Sequence, residues 1–300
     1  MTAQPGKVWS PVVTPFQQDL SPDVTRYIEH CQWLVDSHVG LAIFGTNSEA
    51  NSMSVAQKQN LLDALIEAGI APSMMMPGTG SCALADAVTL TRHAVAAQCH
   101  GVLMLPPFYY KNMSDDGLFQ FFAEVVERVG DAALKIYLYH IPPVAQVPIS
   151  LNLIERLRTA YPGTFVGVKD SSGDWDNTQA MIENFASDGF EVYAGNERFL
   201  LQTLRAGGAG CISATANVNG RAIVELANHW QNNDAEQVQQ RLNDIRAVFE
   251  GFPMIPALKS AIADFRDQPD WCQVSPPLVA LTLAQRKQLA ESLKEQNFSL

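Results

Sequence analysis

The chain has no basic run, no CxxC pair and no apolar stretch long enough to span a bilayer, and each absence removes a class of function. Twenty Lys and Arg stand against 31 Asp and Glu, for a net charge of −11. The long-range field therefore repels nucleic acid and anionic lipid, and an anionic ligand has to be attracted locally. Five cysteines (Cys31, Cys82, Cys99, Cys211, Cys272) stand singly in apolar segments. That is the pattern of buried free thiols in a reducing compartment, not of a disulfide frame. The six histidines show no metal spacing, and the opening MTAQPGKVWSPVV lacks the apolar run of a secretion signal. A soluble cytoplasmic protein is expected, with no nucleic-acid or membrane partner.

Against these absences stand 47% hydrophobic and 17% charged residues over 300 positions, enough apolar surface for a sizeable core. Short apolar runs recur near 8–14, 40–46, 73–78, 101–106, 134–141, 164–170, 191–195 and 209–215. Between them lie amphipathic stretches such as SPDVTRYIEHCQWLVDS, SVAQKQNLLDALIEAG and SDDGLFQFFAEVVERVG. Several open on an N-cap serine, and Gln57 completes a capping box begun by Ser54. Strands that are continuously apolar and separated by helices indicate a parallel sheet covered on both faces. Eight such units in residues 1–220 predict a (β/α)8 (TIM) barrel, whereas a doubly wound sheet would carry a Gly-rich first turn that is missing. Residues 221–300 read as the last barrel helix and a C-terminal helical extension packed on the barrel.

A barrel of this kind places its chemistry at the C-terminal strand ends. The second run ends in GTNSE, the fourth in PPFYYK, the fifth in YLYHIPP, the sixth in VKDSSGD, the seventh in AGNE and the eighth in SATAN. Among eight lysines, Lys169 alone closes a central run after an apolar approach, while Lys135 opens the fifth run and so belongs to the opposite face. Desolvation of an amine favours its neutral, nucleophilic form, which can condense with a ketone to a Schiff base. The competing reading is a lysine paired with Asp170 or snorkelling to the rim. Tyr139 ends the neighbouring run, where a phenol could serve a carbinolamine as proton donor and acceptor, or could be an ordinary half-buried aromatic like Tyr137. The GTNSE loop offers successive backbone amides and the hydroxyls of Thr46 and Ser48 to a small carboxylate, or is a plain turn with a cap. His140 reads as a supporting or structural residue, Asp174 as a cap, and Pro106–Tyr110 as packing, an oligomer contact or a binding loop.

These motifs, in this order from VVTPF to the last helix, resemble the pyruvate-dependent, Schiff-base-forming class I aldolases and lyases. That family includes dihydrodipicolinate synthase, N-acetylneuraminate lyase and the 2-keto-3-deoxy sugar acid aldolases. The resemblance implies that Lys169 forms the imine, that Tyr139 and Thr46 relay protons, and that Tyr110 reaches the neighbouring subunit's site in a homotetramer built as a dimer of dimers. It also implies that Gly45, Asn47 and Ser48 hold the pyruvate carboxylate. Gly195 and Ile212 would line the pocket, and Ser171, Asn196 and Glu197 would stand where sugar-acid relatives bind hydroxyls. No metal or organic cofactor is implied. One departure bears on substrate: Val144 occupies the position of the arginine that holds the second carboxylate in dihydrodipicolinate synthases, and valine cannot replace a bidentate guanidinium. The expectation is a lyase acting on a keto acid and an aldehyde, with a dehydratase, a dihydrodipicolinate synthase-like condensation and a non-catalytic keto-acid-binding barrel as alternatives.

Overall fold

Seven short parallel strands carry the sheet of the computed structural model, which describes residues 6–300. They are β1 (Val8–Ser10), β2 (Gly40–Leu41), β3 (Val102–Met104), β4 (Ile136–His140), β5 (Phe165–Asp170), β6 (Glu191–Ala194) and β7 (Gly210–Ile212). Their order is β2-β1-β7-β6-β5-β4-β3. Segment 75–78 closes the ring, pairing Met75 with Leu41 of β2 and Gly78 with Leu103 of β3. Amides of Met76 and Gly78 donate to Leu41 and Ile43, while Leu103 donates to Pro77 and Thr79 to Leu103. The third expected run is therefore the eighth stave of a barrel, held by isolated bridges and not by a continuous ladder. Two local causes explain this. Pro77 has no N–H to offer on the β3 side, and Pro72–Met74 takes a 3-10 turn before the stave begins.

Twelve helices surround the sheet among the described residues. Those within the barrel are α1 (Val24–Asp36), α2 (Val55–Glu67), α3 (Leu84–Ala96), α4 (Asp115–Val129), α5 (Pro142–Ala145), α6 (Leu151–Ala160), α7 (Trp175–Phe185), α8 (Leu200–Arg205) and α9 (Ala216–His229). The extension consists of α10 (Ala235–Glu250), α11 (Met254–Arg266) and α12 (Leu283–Glu295). Ser54 and Gln57 form both halves of a capping box on α2, and Ser114 and Ser150 cap α4 and α6. The first helix is capped by Asp23 and not by a serine, because Ser21 is held in a turn with Asp19. Helix α9 begins at Ala216, so a boundary after residue 220 falls inside it.

Alternation along each strand divides the core in two. Ile136, Leu138, Val168 and Val192 face the helical layer, while Trp9, Leu103, Tyr137, Tyr139, Tyr193 and Ile212 fill the barrel interior. A second core joins Phe249, Leu258, Ile262, Trp271, Leu289 and Leu293 of the extension to Val13, Ala214 and Val218. Val13 and Ala214 follow β1 and β7, so the extension packs on the C-terminal rim of the barrel. All five cysteines are free, but only Cys31 and Cys211 are buried; Cys99 and Cys272 are half-buried and, contrary to the expectation of buried thiols, Cys82 is exposed. It lies in the turn before α3.

His30 sits fully buried where α1, α9 and α11 meet, its Nε2 3.2 Å from Asn217 Oδ1 and its Nδ1 3.0 Å from the Arg266 guanidinium. Burial, reinforced by Arg266, holds its pKa down at about 3. Between that value and the ordinary histidine range, the unfolded chain takes a proton that the folded chain refuses. Stability from this site is therefore complete above about pH 6.5 and falls on acidification by up to about 1.4 kcal/mol per pH unit. Denaturant melts of wild type and His30→Gln between pH 7 and 5 should show the steeper acid loss in wild type; parallel slopes would refute the assignment.

Candidate active site

The site is built from the ends of β4 and β5, which pair Tyr139 with Lys169 and His140 with Asp170. The two-residue period of a strand sends Lys169 and Asp170 to opposite faces. Lys169 turns into the barrel, 2% exposed, with its Nζ 4.2 Å from the centroid of the Tyr139 ring. Asp170 turns outward, where its carboxylate accepts from Ser172, Asn177 (3.0 Å) and the Thr178 hydroxyl (2.6 Å). The alternative in which Asp170 neutralises Lys169 is thereby excluded: the carboxylate is occupied on the helix-facing side. His140 supports the same outer layer. Its Nδ1 accepts from the Ile149 amide at 2.9 Å, and burial lowers its pKa against the opposing pull of Asp170.

The loop after β2 approaches Tyr139 from across the barrel, with Thr46 Oγ1 lying 3.2 Å from the Tyr139 hydroxyl. A tight turn spends several of the loop's donors. Gly45 donates to the Ser48 hydroxyl (3.2 Å), Ser48 to the Gly45 carbonyl (3.2 Å) and Glu49 to the Thr46 carbonyl (3.1 Å). Ser48 is thus fully buried and acts within the turn. The amides of Thr46 and Asn47 have no acceptor among the described residues, and both side chains are partly exposed. They are the unspent donors of the loop. A narrow pocket lined by Phe44, Gly45, Thr46, Gly80, Leu103 and Tyr139 opens beside them.

On the other flank, Gly195 is obligatory: a Cβ there would lie 2.2 Å from the Ser171 hydroxyl and 2.7 Å from the Asp170 carbonyl oxygen. Ser171 has no hydrogen-bond partner for its hydroxyl among the described residues, whereas the Asn196 side-chain oxygen is used to cap the short turn at 197–199. Ile212 contributes to the barrel interior. Glu197 requires a correction. Its carboxylate is fully buried, pairs with Arg246 of α10 at 2.7 Å and accepts from the hydroxyls of Ser213 and Thr215. It is a structural anion with no surface left for a substrate hydroxyl. Tyr110 is 71% exposed in the loop after β3, packed edge-on against Tyr109, and no bond or ring contact joins it to Lys169 or Tyr139 among the described residues. Val144 is likewise exposed, on α5, whose last carbonyl (Ala145) accepts from Lys111 at 2.9 Å.

Sequence reasoning missed Lys259. It is the most deeply buried lysine of the chain, paired at 2.7 Å with Glu49 immediately after the GTNS turn. The signal was a lysine inside IPALKSAIADF, where every position from Pro256 to Ala263 is buried. Larger clefts exist elsewhere, including one of about 790 Å³ between the 16–26 and 269–280 segments, but none of these site residues lines it.

A parallel barrel with an unpaired interior lysine stacked on a tyrosine at the mouth defines a class of imine-capable (β/α)8 enzymes. A family model described as the dihydrodipicolinate synthetase family matches residues 4–296, and the chain belongs to that family of carbon–carbon lyases. It is 32% identical over 273 residues to a protein described as an uncharacterized DapA-like lyase of Chloroflexus aurantiacus, covering 89% of each chain. A 4-hydroxy-tetrahydrodipicolinate synthase of Methanococcoides burtonii is 31% identical over 289 residues, covering 95% of this chain and 96% of the relative. The crystal structure of dihydrodipicolinate synthase from Agrobacterium tumefaciens superposes with a TM-score of 0.89 at 32% identity, covering 96% of this chain and 99% of that one.

Because Asp170 satisfies four buried or half-buried donors on three residues of α7 and its entry turn, Asp170→Ala should lower unfolding free energy by about 2–4 kcal/mol. Asp174→Ala removes only an exposed helix cap and should cost about 1 kcal/mol. Urea melts compare the two; equal losses would contradict the outward anchoring of β5.

Proposed function

We propose that the protein is a pyruvate-dependent lyase that makes or breaks the bond between pyruvate C3 and an aldehyde carbon, on a hydroxylated 2-keto acid. One observation carries the reading: Lys169 is buried without a carboxylate partner, beside a phenol that reaches the loop with spare amide donors. Lys169 Nζ adds to C2 of the keto acid, the ketone oxygen departs as water, and the resulting imine accepts electrons from C3. In the synthetic direction C3 loses a proton, the enamine attacks the aldehyde carbon, and the aldehyde oxygen takes up a proton. Water then hydrolyses the imine and frees the amine. Tyr139 and Thr46 are proposed to carry these protons, since their hydroxyls form a pair at the stave ends. The amides of Thr46 and Asn47 would receive the carboxylate.

The substrate class is read from the opposite flank. The free hydroxyl of Ser171 and the amide nitrogen of Asn196 favour a polyhydroxylated chain, and Val144 provides no charge for a second carboxylate. Tyr110 is proposed to complete the proton path of a neighbouring subunit in a tetramer, which accounts for two adjacent tyrosines exposed at the barrel mouth. The same imine could expel water from a 3-deoxy acid; product analysis separates the two outcomes, because only the lyase releases an aldehyde.

Borohydride added with pyruvate should fix a single reduced adduct on Lys169, located by peptide mass spectrometry, and Lys169→Ala should take up none. Tyr139→Phe should lower turnover of 2-keto-3-deoxy acids by about 10²–10⁴-fold while preserving the fold. An adduct elsewhere, or substantial turnover by Lys169→Ala, would overturn the proposal.

A further inference from the structure

The loop that leaves two amides unspent is fixed from below by a buried ion pair. Glu49 closes the turn with its own amide on the Thr46 carbonyl, and it does so in the left-handed region, at φ 56°. A side chain other than glycine avoids that region unless its surroundings impose it. Here both carboxylate oxygens are held: Oε1 accepts from Lys259 Nζ at 2.7 Å and Oε2 from the Ser275 amide at 2.7 Å. Neither side chain of the pair has any exposed surface. The ammonium also lies 4.7 Å from the centroid of the Phe16 ring, in the segment after β1. One carboxylate therefore gathers α11, the segment before Pro276 and the GTNS turn.

We infer that Glu49 and Lys259 are positioning residues for the keto-acid carboxylate: the pair sets the turn in which the Thr46 and Asn47 amides remain free to bind it. This rests on the proposed function, and it extends that reading to a residue of the C-terminal extension. A fold staple alone would make the pair matter for stability and equally for any carbonyl compound. A positioning role makes it matter for the binding of carboxylate-bearing ketones and not of others, because a ketone lacking the carboxylate uses neither loop amide and meets only the Thr46 hydroxyl that serves proton transfer. Displacing donors by even a fraction of an ångström weakens the interactions they make.

The test is borohydride trapping on the full-length protein, titrating pyruvate and, separately, acetone, with the adduct on Lys169 quantified by intact mass. In Lys259→Met the pyruvate concentration for half-maximal trapping should rise about ten- to a hundredfold, with the maximal adduct and the acetone titration unchanged. Removing one partner of a buried pair can prevent folding. Glu49→Gln/Lys259→Met leaves neither charge unpaired and carries the same expectation. A shift of equal size for pyruvate and acetone, or no shift for either, overturns the positioning role while leaving the Lys169 imine intact. Wild-type protein that forms no pyruvate adduct overturns the lyase reading itself, and this inference with it.

Discussion

The arrangement depends on the two-residue alternation of β5. It sends an ammonium inward and the adjacent carboxylate outward, and a one-residue slip would exchange them, burying an anion in the barrel and pressing a cation against α7. The register is pinned from both sides. Outward, Asp170 is claimed by Ser172, Asn177 and Thr178. Inward, Gly167 allows the Tyr137 ring to lie where a Cβ would come within 2.6 Å of it, and a register shift in β4 between Ile136 and Tyr137 brings Tyr139 level with Lys169. The amine owes its isolation to a neighbour that has been committed elsewhere.

The extension, which has no strand of its own, reaches that centre through two cations. Lys259 on α11 neutralises Glu49 after β2, and Arg246 on α10 neutralises Glu197 before α8. Both carboxylates stand at strand ends, on loops of the barrel mouth. Buried pairs of this kind are costly to break by removing one member, so the rim loops and the extension are obliged to order together. The apolar contacts of Val13, Ala214 and Val218 with Phe249, Leu258 and Trp271 add the non-directional part of the same attachment.

The repeating pattern was legible because parallel strands buried on both faces are continuously apolar, which made the barrel and its strand-end loops readable from short runs alone. Lys169 and Tyr139 could be singled out because strand polarity tells which end of a run faces the mouth. What escaped was set by distant partners. Glu197 looked like a pocket residue until Arg246, 49 positions later, turned it inward, and Lys259 was hidden in a helix whose all-round burial exists only once the extension has docked. The third run failed as a strand for a local reason that was visible, the missing donor of Pro77.

That interrupted stave gives the barrel an uneven circumference. Between β4 and β5 five residue pairs form, four of them in one unbroken register, whereas the segment between Leu41 and Leu103 is tied by one bridge on each side. Gly78 lets it press against the Phe44 carbonyl, where a Cβ would lie 2.1 Å away, so the fit is close although the ties are few. The seam lies next to the turn that carries Thr46, so local opening of the wall there breaks fewer paired residues than it would between the strands that hold the amine.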